Sequence, residues 1–161
     1  MQIRPLESSD KIPIHQILTD TKFFTREEIK IAMELIDDYL NNPSTTYKIY
    51  VMAYKLSSEI AGYTCFGKAP MSHSTYDLYW IAVNPHAQKK GIGKSLMKFV
   101  ETEVMKDHGN QILLETASKS SYDSTRKFYE SLGYQKIGSV DDYYAPGDSK
   151  IIYLKKLGSG S

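Results

Sequence analysis

The stretch from Tyr76 to Leu96 constrains this chain more than any other. Tyr76-Asp77-Leu78-Tyr79-Trp80-Ile81-Ala82-Val83 is rich in aromatic and β-branched residues, as a half-buried strand is, and Asn84-Pro85 closes it with a turn signal. Beyond glycines at 91 and 93, Leu96, Met97, Val100 and Val104 recur at helical spacing towards His108-Gly109. Gln111 to Thr116 then reads as another strand. Strand, glycine loop, helix and strand in that order predict an α/β domain.

The flanking segments extend the alternation. Ile3 to Leu6 reads as a short strand, and Ile12, Ile14, Ile17 and Leu18 mark a helix with Pro13 in its first turn. Thr25 with Glu28 forms a capping box ahead of Ile29, Met33, Ile36 and Leu40, and Asn41-Asn42-Pro43 stops that helix. Tyr47 to Lys55 and Ile60 to Gly67 pair as a hairpin. Ser121 to Leu132 reads as a helix, with strands at Tyr134 to Val140 and Ile151 to Leu157. No linker or repeat divides residues 1–157, which predicts one domain; residues 158–161, Gly-Ser-Gly-Ser, read as a linker or tag remnant.

Composition narrows the function classes. Of 161 residues, twenty are Lys or Arg and nineteen Asp or Glu, so a net charge of +1 supplies no general cationic field for nucleic acid. No apolar run is long enough to cross a bilayer and no secretory signal follows Met1, so the expectation is a cytoplasmic protein with neither a membrane nor a nucleic-acid partner. Cys65 is the only cysteine, which excludes an intrachain disulfide, and it reads as a small core residue. His15, His73, His86 and His108 show no metal-ligand spacing, so no metal site is expected.

The loop Val83-Asn84-Pro85-His86-Ala87-Gln88-Lys89-Lys90-Gly91-Ile92-Gly93-Lys94-Ser95 suits a phosphate, because glycines turn backbone N–H groups inward and the next helix presents its positive end. Two familiar phosphate loops fail on spacing. The first glycine of a Walker A motif ending at Gly93-Lys94-Ser95 would fall on Gln88, and the third glycine of a dinucleotide fingerprint would fall on Leu96. An ordinary strand-to-helix turn with structural glycines is the remaining plain reading.

Gln88-x-x-Gly91-x-Gly93 after Val83-x-Pro85 resembles the acetyl-coenzyme A motif of the GNAT acetyltransferases. Ser124 to Tyr134 resembles the later helix, turn and strand of that family, including the tyrosine near the thiol, here Tyr129. Tyr122 and Thr125 stand where the family often has Asn and Ala. The resemblance implies a mixed, twisted β-sheet of about six or seven strands with about four flanking helices and two splayed central parallel strands. It also implies that acetyl-CoA is the cosubstrate. Backbone groups of Ile81, Ala82 and Val83 would hold the pantetheine arm, while Gln88, Lys89, Lys90, Gly91, Ile92, Gly93, Lys94 and Ser95 would hold the pyrophosphate.

Tyr129 would then protonate the departing thiolate. An alkylammonium must lose a proton before it attacks, its pKa being about 10.4, and Glu115 is the first choice of base, with Asp77 and Tyr79 as alternatives. Asp77, Tyr79, His73 and Tyr143 are the acceptor-binding candidates. Thirteen tyrosines could supply rings and hydroxyls to an acceptor pocket, and Asp141, Asp142 and Asp148 could attract an ammonium group.

The expected function is direct acetyl transfer to the primary amine of a small molecule or amino-acid derivative. A protein N-terminal or lysine acetyltransferase is the nearest alternative, followed by a non-catalytic coenzyme A-binding module; an enclosed pocket would favour a small acceptor and an open backbone-binding groove a peptide. A homodimer through an exposed strand edge is the oligomer the resemblance suggests.

Overall fold

A computed structural model describes residues 1–87 and 91–158. In chain order the elements are β1 (Gln2–Pro5), α1 (Lys11–Asp20), α2 (Arg26–Asn41), β2 (Tyr47–Ala53), β3 (Ile60–Lys68), β4 (Thr75–Val83), α3 (Ile92–Lys106), β5 (Gln111–Ala117), α4 (Asp123–Ser131), β6 (Gln135–Ala145) and β7 (Asp148–Lys156). Single 3₁₀ turns at Ser8–Asp10 and Ser120–Tyr122 lead into α1 and α4.

The seven strands form one sheet in the order β1-β2-β3-β4-β5-β7-β6, in which β4 and β5 are the parallel pair. Parallel neighbours need a crossover, and α3 supplies it. Helices α1 and α2 bring Ile14, Leu18, Ala32 and Ile36 against Ile49, Val51, Tyr63 and Cys65 on one face of the sheet. On the other face Met97, Val100 and Val104 of α3 join Phe66, Tyr76, Leu78, Ile112, Leu114 and Tyr129. This is the expected mixed sheet covered on both sides. Cys65 is 1% exposed and burial pushes its thiol pKa up to about 12, so it packs as a small apolar group without thiolate character.

The capping box forms as read, with the Glu28 amide donating to Thr25 Oγ1 at 3.1 Å and the Thr25 amide donating to Glu28 Oε1 at 3.3 Å. The last hairpin differs from the sequence expectation. Strand β6 runs on through Asp141-Asp142 to Ala145, with a register shift between Val140 and Ala145 and Asp142 at φ 54°. Asp142 tolerates the left-handed region, so the irregularity bends the strand and the chain reverses only at Pro146-Gly147.

The end of α3 divides two roles between neighbouring residues. His108 takes the left-handed position at φ 62°. Gly109 is needed for space, because a Cβ there would lie 2.4 Å from Val104 Cγ1 and 2.7 Å from the Tyr76 ring. Gly109→Ala is therefore expected to destabilise the fold by about 1–3 kcal/mol, read as a lower urea midpoint with an unchanged slope. Among the described residues no helix is long and apolar enough to cross a membrane, and no group of three or more His, Cys, Asp or Glu is placed to hold a metal ion.

Candidate active site

The site begins where two strands part. Strands β4 and β5 pair only over Thr75–Gln111, Tyr76–Ile112 and Asp77–Leu113. Beyond that point both continue, β4 to Val83 and β5 to Ala117, without pairing to each other. The cause lies on the opposite edge of β4. There Cys65 faces Trp80 and Phe66 faces Leu78, so Tyr79 is an extra residue in a bulge, and a bulge bends and twists its strand. Backbone groups that would have laddered across to β5 are left facing the gap, where a bound molecule can satisfy them.

The gap opens into a cleft of about 1600 Å³ whose walls come from β4, β5, the α1–α2 connection, the start of α3 and one side of α4. At its α3 end, Gly91 is the residue before the helix and takes φ 84°, a conformation that favours glycine. The first bond into the helix runs from the Ser95 amide to the Gly91 carbonyl at 2.9 Å. The amides of Ile92, Gly93 and Lys94 therefore precede any intrahelical acceptor and point out of the helix end, where the dipole favours an anion. Gly93 also sets the spacing of α3 from α4: a Cβ there would lie 3.2 Å from the Phe128 ring.

Tyr129 of α4 is 7% exposed, lines the cleft and has no hydrogen-bond partner for its hydroxyl among the described residues. Burial raises its pKa well above the ordinary phenol value, so it holds its proton throughout the physiological range. Two further polar groups on the walls have no hydrogen-bond partner among the described residues: Trp80 Nε1 and Thr116 Oγ1 are buried. A strand pattern gives no sign of either, because it does not show which wall will lack a neighbour.

Asp77 stands at the fork itself, and burial, followed by the negative charge of Glu115, raises its pKa above the usual carboxylate range; the Tyr79 hydroxyl opposes that shift. Glu115 lies two residues past the fork on β5, exposed, with Lys150 Nζ 3.1 Å from its carboxylate. Tyr79 also faces the cleft. The remaining acceptor candidates are elsewhere. His73 is exposed in the β3–β4 loop, before the strand begins and outside the cleft wall, and Tyr143 is exposed on β6 beneath Lys150, whereas Tyr144 reaches the cleft. Asp148 lines the cleft, while Asp141 and Asp142 do not.

Of the loop residues, Gly91, Gly93 and Lys94 line the cleft, as do Ile81, Ala82 and Val83. The Ile92 side chain is buried against Leu96 and Met52, and Ser95 is exposed one turn into the helix. Gln88, Lys89 and Lys90 lie outside the described residues.

Sequence reading leaves out one wall. The α1–α2 connection carries Phe23 and Phe24 over the cleft, with Phe24 5.3 Å from the Trp80 ring and Phe23 4.4 Å from the Tyr122 ring. The Tyr122 hydroxyl donates to Glu28 Oε2 at 3.2 Å, joining the start of α2 to the turn before α4. The cleft is thus bridged from side to side.

Residues 45–136 match the family model of the acetyltransferase (GNAT) domain. A crystal structure from Desulfovibrio desulfuricans, assigned to the GNAT family of acetyltransferases, superposes with a TM-score of 0.91 at 34% identity, over 98% of this chain and 99% of that one. The S-(2-succino)cysteine N-acetyltransferase of Bacillus subtilis is 28% identical over 92 residues, which is 56% of this chain and 53% of that protein. The N-acetylaspartate synthetase of Danio rerio is 33% identical over 75 residues, 46% of this chain and 26% of that protein. The chain therefore spans between about a quarter and about half the length of these two curated relatives.

Proposed function

Because the chain belongs to the GNAT acetyltransferase family, we propose that it transfers the acetyl group of acetyl-CoA directly to the primary amine of a small molecule. One observation carries the reading: the fork beyond Asp77–Leu113 lies in the same cleft as the unpaired α3 amides and the buried hydroxyl of Tyr129. The residues present fit that cosubstrate. An unsatisfied helix end suits its pyrophosphate, and an unpaired strand edge suits the amides of its pantetheine arm.

Bound acetyl-CoA would supply an acyl carbon activated as a thioester. The chain's own groups would do the rest. The amides of Ile92, Gly93 and Lys94 hold the diphosphate, and the freed edge of β4 through Ile81–Val83 aligns the arm, with a backbone N–H there polarising the carbonyl. Tyr129 keeps its proton until negative charge grows on sulfur, then donates it.

The amine's proton has two possible acceptors at the fork. The sequence favours Glu115, but Lys150 holds that carboxylate in an ion pair at 3.1 Å. Asp77 is the more enclosed group at the point of parting, and its raised pKa makes it the better base. We therefore assign proton removal to Asp77, directly or through one water, and orientation of the amine to Glu115. The bridge from Glu28 to Tyr122 favours a small acceptor over a polypeptide, since an open groove has no such crossing.

The test is acetyl-CoA-dependent thiol release across amino acids, including aspartate and S-(2-succino)cysteine, as well as polyamines, aminosugars and peptides, with mass spectrometry of the products. Amine-dependent release with one acetyl group on a small-molecule nitrogen is expected. Calorimetry that finds no binding of acetyl-CoA would overturn the reading, and acetylation confined to peptides would overturn the choice of acceptor.

A further inference from the structure

The limb of β4 that runs past the fork is held along one edge only. Its last ladder pair with β3 is Val83–Gly62, and β5 no longer pairs with it beyond Asp77. The residue that follows Val83 therefore decides how firmly the free end of the limb is placed. That residue is Asn84, a position that Val83-x-Pro85 leaves open.

Asn84 donates twice and accepts twice. Its backbone amide donates to the Ala61 carbonyl at 2.8 Å and its Nδ2 to the Ile60 carbonyl at 3.0 Å, so backbone and side chain both tie the end of β4 to β3. The next residue, Pro85, has no N–H with which to carry the ladder further. Asn84 Oδ1 accepts from the His86 amide at 2.9 Å and the Asn84 carbonyl accepts from the Ala87 amide at 3.0 Å, an Asx turn inside a β-turn that swings the chain out of the sheet. An aspartate lacks the donor for Ile60, and a serine is too short to make both side-chain links.

The turn is seated on two sides. Ala87 packs with Met52, Ala61, Ile92 and Leu96, the last two from the start of α3, and His86 Nε2 lies 3.4 Å from Asp20 Oδ2 at the end of α1. Asn84 thus stands between the two sets of backbone groups assigned to the cosubstrate, the Ile81–Val83 edge and the amides of Ile92, Gly93 and Lys94. It is not among the described residues that line the cleft. A ligand that must engage both sets at once binds better when their separation is fixed beforehand, because any freedom in it is lost on binding.

We propose that Asn84 is a positioning residue for acetyl-CoA: without touching the ligand, its side chain fixes the β4 edge relative to the open end of α3. The inference rests on the acetyl-CoA reading and requires no particular acceptor.

The test is calorimetric titration of the full chain with acetyl-CoA in the wild type and in Asn84→Ala, Asn84→Ser and Gly109→Ala, each well below its melting temperature. N84A loses both side-chain links and is expected to bind about tenfold more weakly. N84S keeps an acceptor for the His86 amide and loses the link to Ile60, so it should recover part of the affinity and bind about threefold more weakly than wild type. G109A is the control, since it strains the opposite end of α3 and should bind as the wild type does. A purely structural asparagine would lower the melting temperature and leave the affinity of the folded chain alone. Wild-type affinity in N84A, an equal loss in G109A, or N84S binding no better than N84A would each overturn the proposal. Where N84A does not fold, N84S decides, and unchanged binding there overturns it. Absence of acetyl-CoA binding to the wild type is a different result, which refutes the cosubstrate reading itself.

Discussion

Asp77→Asn is expected to lower kcat/KM for the amine by roughly a hundredfold while leaving the melting temperature unchanged or raised. The activity loss follows because asparagine cannot take the ammonium proton. The stability result follows from linkage. The fold raises the pKa of Asp77, so the folded chain holds that proton more tightly than the unfolded chain does. Any stability from this group is full below the unfolded pKa and is lost as pH rises through the folded value. At neutral pH the ionised carboxylate at the fork is therefore a cost, which asparagine removes.

The pH profile separates this role from a structural one. Wild-type kcat/KM should fall on acidification through the raised pKa of Asp77, at higher pH than an ordinary carboxylate would set. The Asn variant should lose that limb and rise instead with the free-amine fraction of the acceptor, towards the ammonium pKa of about 10.4. Glu115→Gln removes the neighbouring negative charge that helps raise Asp77, so its acid limb should move to lower pH. Stopped assays across pH, with folding checked by thermal melts, decide the matter; an acid limb retained at its wild-type position in D77N, or one unmoved in E115Q, would reject Asp77 as the base.

What the sequence made legible was local. A glycine before a helix, a capping box, and alternation within a strand depend on residues a few positions apart, so Gly91, Thr25 with Glu28, and β2 to β5 could be read in order. The fork was expected from resemblance alone, since its cause is a one-residue mismatch between β3 and β4 at Tyr79. Nothing in Leu78-Tyr79-Trp80 distinguishes a bulge from continuous pairing. The bridge from Glu28 to Tyr122 joins residues 94 positions apart and was equally hidden. His73 shows the opposite limit: it is near Asp77 in sequence, but the paired start of β4 lies between it and the fork, and the parted ends of the strands are the far ones.

Tyr129→Phe should reduce kcat by about thirtyfold to a hundredfold with little change in acetyl-CoA affinity, because the hydroxyl acts when the sulfur departs and not when the thioester binds. The substitution removes a group with no hydrogen-bond partner among the described residues, so no buried partner is left exposed and the melting temperature should hold. The ring keeps its contacts with Phe128, Tyr134 and Tyr153, at centroid distances of 5.4, 5.9 and 6.5 Å. Since burial keeps the phenol protonated well above neutral pH, the alkaline side of the profile should be the same in wild type and variant, apart from its height. A structural tyrosine would give the reverse pattern, with a lower melting temperature, a raised KM and an intact kcat. Comparing burst and steady-state thiol release at saturating amine distinguishes them: if the chemical step is as fast in Y129F as in wild type, Tyr129 does not donate the proton, and water reaching the fork must do so.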